Sequence, residues 1–390
     1  MNTKISSLLS EGALLLALCA SCSRPDSMPV TVANDSPRDR AAATVAIPLA
    51  DIAGRIGGPG YAVSIDGREI PSQITHDSLL IFQATVAAGS EAVYTVARRD
   101  TMPVYDAVAT GRLYPERADD LAWENDLVGF RAYGPSTQAK GERAYGYDIF
   151  FKHPTPEPVL EKLYGPETDP RTWATVDSLR AISDSLADEY ISTFSYHIDH
   201  GLGMDCYAVG PTLGAGVAAL VQADTLSMPW CYARAEVLDR GPVRFTARLD
   251  FAPRGGVTEH RIVSLDASSH LNSCAVWYDG LRGPEAIAAG FPRRDDSPML
   301  AVDGTLAFSD PTQGPDNGRA LLGIVMPGRR PSDTEALGHV MLRDSIAPGD
   351  TLRYYWGFAW DRTDIRDLNA WSRYLTDFSA DIANPLKISY

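Results

Sequence analysis

The sequence has no run of lysine and arginine and, past its first 21 residues, no long apolar stretch. It shows no repeat of fixed period. Each absence excludes a class. Neutralising phosphates takes clustered basic side chains, so an acidic chain with net charge -15 has no nucleic-acid partner. Without a second apolar segment there is no spanning helix, and a membrane is reached only through an anchor. Without a repeat, propellers and solenoids are disfavoured. Cysteine is scarce, at 5 residues, and no CxxC or Cys/His spacing for a metal appears.

The N-terminus reads as an export signal. Lys4 precedes a short apolar run, Ala13 to Ala20, too short to cross a bilayer. Ala20-Ser21-Cys22 places small residues before a cysteine, the pattern of lipoprotein processing. Cys22 is the expected lipidation site. Residues 1–21 are the expected signal peptide, and the protein is expected to be exported to the periplasm or the cell surface as an outer-membrane-anchored lipoprotein. Residues 1–21 carry one of the 35 basic and one of the 50 acidic residues, so cleavage leaves the net charge at -15. The Ser-, Pro-, Asp- and Arg-rich stretch that follows predicts a flexible tether over 22–43. Cys206, Cys231 and Cys274 are expected to be buried as small apolar residues.

The rest alternates with period two, from Tyr61–Ile65 through Val243–Phe251 to Leu352–Trp360, with Gly, Pro and Asp between the runs. This predicts a mainly β chain, a large antiparallel β-sandwich, with a β unit over 44–100 and a main domain over 101–390. Two apolar stripes predict two principal helices: Trp173, Val176, Leu179, Ile182, Leu186 and Tyr190, then Ile365, Leu368, Trp371, Leu375 and Phe378.

Polar and aromatic residues concentrate in two segments. One holds Trp123, Glu124, Asn125 and Asp126, followed by Arg131 and Tyr133. The other, Tyr196 to Tyr207, holds His197, Asp199, His200 and Asp205 among glycines. Glycine permits positive φ and close backbone approach, and such loops on a rigid sheet often form sites. An elimination beside a carboxylate needs a base, a charge partner and an acid. His197 or His200 supplies the base, because imidazole titrates near neutral pH. Arg131 supplies the clamp, and Tyr133 or Tyr207 the proton. A hydrolytic reading instead pairs two of Glu124, Asp126, Asp199, Asp205 and Glu259. A metal would need ligands beyond this one loop, and neither metal nor other cofactor is expected. Trp123, Trp173, Trp277 and Trp356 are alternative sugar platforms in a binding protein, although tryptophan on strands more often packs in a core.

The segments WENDLVGFRAYGP, GYDIFFK, YHIDHGLGMDCYAVG, LDRGPVRF and FAWD resemble a lipoprotein family catalogued as a domain of unknown function, of the DUF4861 type. The resemblance covers roughly Pro115 to the C-terminus. It implies a galactose-mutarotase-like sandwich, and genes set beside enzymes that dismantle pectin and related uronic-acid polysaccharides. An oligosaccharide substrate follows as an expectation. The expected catalytic residues are His197, His200, Arg131, Tyr133 and Asp205. The expected substrate-binding residues are Trp123, Glu124, Asn125, Asp126, Lys152, Asp199 and Tyr207. Fold resemblance assigns no reaction.

The anchor is testable directly. Metabolic labelling with a palmitate analogue should tag the full-length protein and leave Cys22→Ser untagged. Equal labelling of both would remove the anchor.

Overall fold

A computed structural model describes residues 25–228, 230–329 and 332–390. Cys22 and the signal segment lie outside the described residues. The chain is mainly β, with six α-helices among the described residues and all sheets antiparallel between neighbouring named strands.

The main body has two layers. One is an eight-stranded sheet running from Tyr232–Asp239 through Thr258–Asp266 and Thr351–Trp360 to Met299–Val302. Its inward residues follow the period-two pattern: Phe245, Ala247, Leu249 and Phe251 on one strand, Tyr354, Trp356, Phe358 and Trp360 on another. The facing layer is two five-stranded sheets. One, containing Ala218–Gln222, Glu285–Pro292 and His339–Ile346, contributes Leu220, Ile287, Phe291 and Val340. The other, containing Asp120–Glu124, Gly129–Ala132 and Asp148–Lys152, contributes Trp123, Phe130, Ile149 and Phe151. All of these meet in one core. Tyr147 stacks on Trp356 at 4.1 Å and 3° inside it.

The unit before residue 103 has a separate core of Val30, Val32, Val45, Ile47, Phe82, Tyr94 and Val96. Here the expected tether is corrected. Ser27–Asn34 and Arg40–Pro48 are strands, and Met28, Val30 and Val32 are buried at alternate positions. A Ser/Pro/Asp-rich composition masked this short alternation. Pro29 is tolerated because Ser27–Asn34 gains its second partner, Lys387–Ser389, only at Thr31–Ala33. The unit is joined to the main body at the LDRGPVRF segment. Gln73 Oε1 accepts from the amides of Val243 and Arg244, and Nε2 donates to the Arg244 carbonyl at 2.9 Å. A Cβ on Gly241 would lie 2.6 Å from that Gln73 oxygen, so the glycine makes the joint close.

The first expected helix is also corrected. The stripe from Trp173 to Tyr190 is split into Pro170–Arg180 and Asp184–Ser192, preceded by an unanticipated helix, Leu160–Thr168. Asp169 caps the first of the pair through the Arg171 amide, at 2.9 Å. Only Val176 and Ala187 of the pair are buried, and Ile182 is 75% exposed. The second stripe is as expected, over Leu368–Ala383, with Asp367 accepting from the Ala370 amide. It packs on the outer face of the eight-stranded sheet. Trp371 is fully buried and its Nε1 donates to the Leu322 carbonyl at 2.8 Å. Gly323 makes room for it, since a Cβ there would lie 2.7 Å from Trp371 and Leu375.

Trp371→Ala should therefore lose both the ring and the bond. A cost of about 3–5 kcal/mol is expected in urea unfolding. A loss below about 1 kcal/mol would mean that the helix is not packed there.

Candidate functional site

The Asp120–Glu124, Gly129–Ala132 and Asp148–Lys152 strands have two faces. Ile149 and Phe151 turn to the main core, so Asp148, Phe150 and Lys152 turn the other way. A second, smaller core covers that outer face: Phe150 with Val159, Leu160, Leu163, Tyr164 and Tyr196, from the Leu160–Thr168 helix and the loop after the helical pair. Register puts Arg131 directly opposite Asp148 on the neighbouring strand. Charged side chains are thus forced beneath an apolar lid.

Arg131 is 3% exposed and is the hub. Its Nη2 donates to Asp148 Oδ2 and, at 2.8 Å, to Asp205 Oδ2; its Nε reaches Asp148 Oδ2 at 3.1 Å. Tyr133 donates to the same Asp148 oxygen at 2.5 Å. Asp120 lies 4.0 Å from the Arg131 Nε and 3.7 Å from Arg117. Arg117 in turn donates to the Tyr196 hydroxyl at 3.1 Å. Three buried carboxylates therefore share one buried guanidinium and one partly exposed one. Burial pushes the Asp205 carboxyl up to about 6, against the pull of Arg131, and the nearby Asp148 adds to the rise. Burial likewise lifts Asp120 to about 6, again against Arg131. Burial holds the Tyr133 hydroxyl well above its ordinary range, so it stays a proton donor.

Two groups reach the solvent edge. Tyr133 is half-buried. His197 is exposed, with its Nδ1 2.7 Å from the backbone carbonyl of Asp205. A carbonyl only accepts, so Nδ1 carries the hydrogen and a neutral ring presents Nε2 as a base. Two glycines are required by close approach. A Cβ on Gly134 would lie 1.9 Å from the Asp119 carbonyl oxygen. One on Gly203, at φ +120°, would lie 2.0 Å from the Phe151 carbonyl oxygen.

Of the expected residues, the structure brings together Arg131, Tyr133, Asp205 and His197. It adds Asp148 and Asp120, which the sequence reading missed. An aspartate inside the otherwise apolar run of GYDIFFK was the available signal. Arg131 is corrected as a substrate clamp, because two carboxylates already occupy its fork. His200 is exposed and has no hydrogen bond or ion pair to the cluster. Trp123 is corrected as well: it is fully buried and donates to Asn272 Oδ1 at 2.8 Å. Trp356 is equally buried, while Trp277 sits half-buried on the outside of the large sheet against His260.

Glu124 and Lys152 pair with each other at 2.8 Å, both almost fully buried. Glu124 also accepts from the amides of Val159 and Leu160, at 2.9–3.0 Å, where the covering helix begins. Asn125 ties two loops together through the Asp266 and Ser269 carbonyls, both at 2.7 Å. Asp126 binds the Ser268 amide at 2.6 Å. Asp199 closes its own turn through the Gly201 and Gly203 amides and pairs with His153 at 2.8 Å. These five hold the frame. Tyr207 is buried beside Arg294 and Asp310. Cys206, Cys231 and Cys274 are buried and free.

The chain is thus a two-layer β protein with a buried acid–base cluster on the outer face of one sheet. It belongs to the family described as "Domain of unknown function (DUF4861)", whose model matches residues 32–388. It is 24% identical to "Uncharacterized protein P7" of Formosa agariphila, over 95% of this chain and 96% of that protein. Two solved structures from Enterococcus faecalis align at 9% identity over 93% of this chain. They are an α-mannosidase, at a TM-score of 0.47 and 46% of its length, and a protein in glycosyl hydrolase family 38, at 0.48 and 47%. The chain spans about half the length of those two solved chains.

The raised carboxyls make stability depend on pH. Asp120 has an ordinary value of 3.8 and a folded value of about 6. Between these the folded state holds more protons than the unfolded one, so the group's contribution falls as pH rises through this window. Above about 6 the full cost of the buried charge is present. Asp120→Asn should therefore gain stability relative to the unchanged protein at pH 7 and lose that advantage near pH 4. Parallel urea midpoints across this range would refute the assignment.

Proposed function

We propose that the protein is a carbohydrate-active enzyme that acts on oligosaccharides containing uronic acids, by elimination. The observation that carries this is that two groups border the Asp148–Asp205–Arg131 cluster: exposed His197, with Nδ1 on the Asp205 backbone carbonyl and Nε2 free, and half-buried Tyr133, hydrogen-bonded to Asp148. The uronic acid itself comes from the family resemblance.

Elimination uses these parts without any added oxidant or reductant. His197 Nε2 takes the proton from the carbon beside the sugar carboxylate. The electron pair left behind becomes a carbon–carbon double bond as the neighbouring C–O bond breaks. Tyr133 gives its proton to the departing oxygen, which leaves as a sugar alcohol or as water. The hydroxyl turns from Asp148, on which it rests, to the departing oxygen; Arg131 Nη2, 3.3 Å from the Tyr133 oxygen, stabilises the phenolate left behind, and water returns its proton as His197 releases the one it took. Arg131 keeps the two carboxylates in place rather than touching the substrate.

A hydrolytic reading has one observation in its favour. Asp148 Oδ2 and Asp205 Oδ2 share a single guanidinium nitrogen, a carboxylate pair of the kind glycosidases use. Both are nearly sealed, at 0% and 3% exposed, whereas His197 is exposed and Tyr133 half-buried. Access favours elimination.

A panel of uronate oligosaccharides should yield products that absorb in the ultraviolet and have gained no water. His197→Gln and Tyr133→Phe should each lower turnover by on the order of 100- to 10,000-fold with little change in melting temperature. His200→Ala should be active. Arg131→Ala should instead unfold early, because it strands buried carboxylates. Products heavier by one water and without unsaturation would replace elimination with hydrolysis.

A further inference from the structure

The Leu368–Ala383 helix packs on Ala307, Leu321 and Val325, toward the Met299–Val302 edge of the eight-stranded sheet. Further across the same sheet lies the Leu271–Asp279 strand. Its Cys274, Val276 and Tyr278 point into the core, so Trp277 and Asp279 point outward. Trp277 differs from the other tryptophans. Among the described residues, five of the seven donate the indole N–H to a protein oxygen. Trp356 is sealed in the core. The Trp277 N–H is neither bonded nor sealed. The ring is nevertheless held in place. His260, on the next strand, stacks on it at 5.2 Å and 16°, and Asp250 Oδ1 meets His260 Nδ1 at 2.6 Å.

A cleft of about 190 Å³ begins at this ring, between the turn after Asp279 and the turn at Pro348–Asp350. Register pairs Trp277 with Thr351, which sets the two turns side by side. Both turns are fixed. Gly280, at φ +86°, runs so close to Gly256 that a Cβ would collide with its carbonyl oxygen. Asp350 Oδ2 accepts from the Ala347 amide at 3.1 Å. Asp279 is 74% exposed, and its Oδ2 stands 3.2 Å from His260 Nε2 without hydrogen-bond alignment. Among the described residues, no donor meets the other oxygen of either carboxylate. The cleft thus offers an aromatic ring, a free donor and two free acceptors. An indole takes the C–H face of a pyranose, and its N–H and the carboxylates take hydroxyls. The volume suits one ring, because pockets for drug-sized ligands run to roughly 300–1,000 Å³. Charge selects the class. Two carboxylates at the mouth repel a uronate. A cationic ligand is disfavoured as well, since the Arg248 guanidinium already stands 5.7 Å from the same ring centroid.

We propose that Trp277, Asp279 and Asp350 form a second sugar-binding site, which takes one neutral hexose unit of a glycan. The indole N–H donates to a ring hydroxyl, and the two carboxylates accept from others. The acid–base cluster lies on the outer face of the opposite layer, and stacked sheets stand about 10 Å apart with the core between them. A ring seated on Trp277 therefore touches neither His197 nor Tyr133. The site goes beyond the elimination reading and does not rest on it.

The test uses the full chain with neutral tetrasaccharides of galactose, glucose, mannose and rhamnose, and with tetragalacturonate. Kd is read by calorimetry and by the shift in indole emission. At least one neutral probe should bind the unchanged protein. Trp277→Ala should weaken that probe by about tenfold, the equivalent of 1.4 kcal/mol. Trp277→Phe, which keeps an apolar face and loses the N–H, should fall between the two. Asp279→Asn should weaken the neutral probe as well. These two milder variants carry the test if melting temperatures show that the alanine variant does not fold. His197→Gln should leave the neutral Kd unchanged, which separates this site from the first. Tetragalacturonate should bind Trp277→Ala as it binds the unchanged protein. Failure of every neutral probe to bind would overturn the site. So would a neutral Kd that is unaltered across the Trp277 and Asp279 variants, or one that His197→Gln weakens equally. A tetragalacturonate Kd weakened in place of the neutral one would overturn the class of ligand. The elimination reading has a separate readout, unsaturated product, and its failure leaves these binding results intact.

Discussion

A guanidinium buried among carboxylates governs this structure. Arg131 reaches Asp148 on the strand beside it and Asp205 on a loop more than fifty residues further along. Taking such charges out of water is costly, and their mutual attraction offsets it only with good geometry on every side. The geometry here is supplied by strand register on one side and by the glycine-bearing loop on the other. Neither the sheet nor the loop can shift without exposing a buried charge to an apolar wall. The cluster therefore locks the Tyr196–Tyr207 segment onto the sheet, and the covering helix Leu160–Thr168 seals it.

Burial gives the cluster its chemical character. Taken out of water, the carboxyls hold protons more tightly than ordinary aspartates do, against the pull of Arg131 and with a smaller push from Asp148. Asp205 and Asp120 near 6 are the result. Tyr133 and His197 border these proton-holding carboxyls, one hydrogen-bonded to Asp148 and the other to the Asp205 backbone. The His197 tautomer follows from the backbone, because the Asp205 carbonyl accepts and cannot donate. A residue that anchors the loop thus also decides which nitrogen of the histidine is free.

Much of what looks chemical in the sequence is mechanical. Glu124, Lys152, Asn125 and Asp126 are polar and closely spaced, yet each is spent on a helix start, a loop junction or a buried pair. The LDRGPVRF segment joins the N-terminal unit to the main body through Gln73. Charged and amide groups in these motifs satisfy buried backbone atoms that would otherwise be orphaned. That leaves a shorter set for the proposed chemistry: Arg131, Tyr133, Asp148, His197 and Asp205.

The mainly β class, most strands of the sandwich and the Leu368–Ala383 helix were legible in the sequence, because period-two and period-3.6 patterns are local consequences of burying one face. The Ser27–Asn34 strand was hidden, since three alternating residues in a Ser- and Pro-rich stretch are too weak a signal without a partner strand. The division of the Trp173–Tyr190 stripe depended on packing, which buries only Val176 and Ala187. For the site, the sequence by itself marked Arg131, Tyr133, His197 and Asp205 by residue type and density. It carried nothing about which charges meet. Asp148 and Asp120 entered through strand register. Whether a carboxylate is spent on a lysine, a helix or a proton is set by its neighbours in space, and only the tertiary structure decided that.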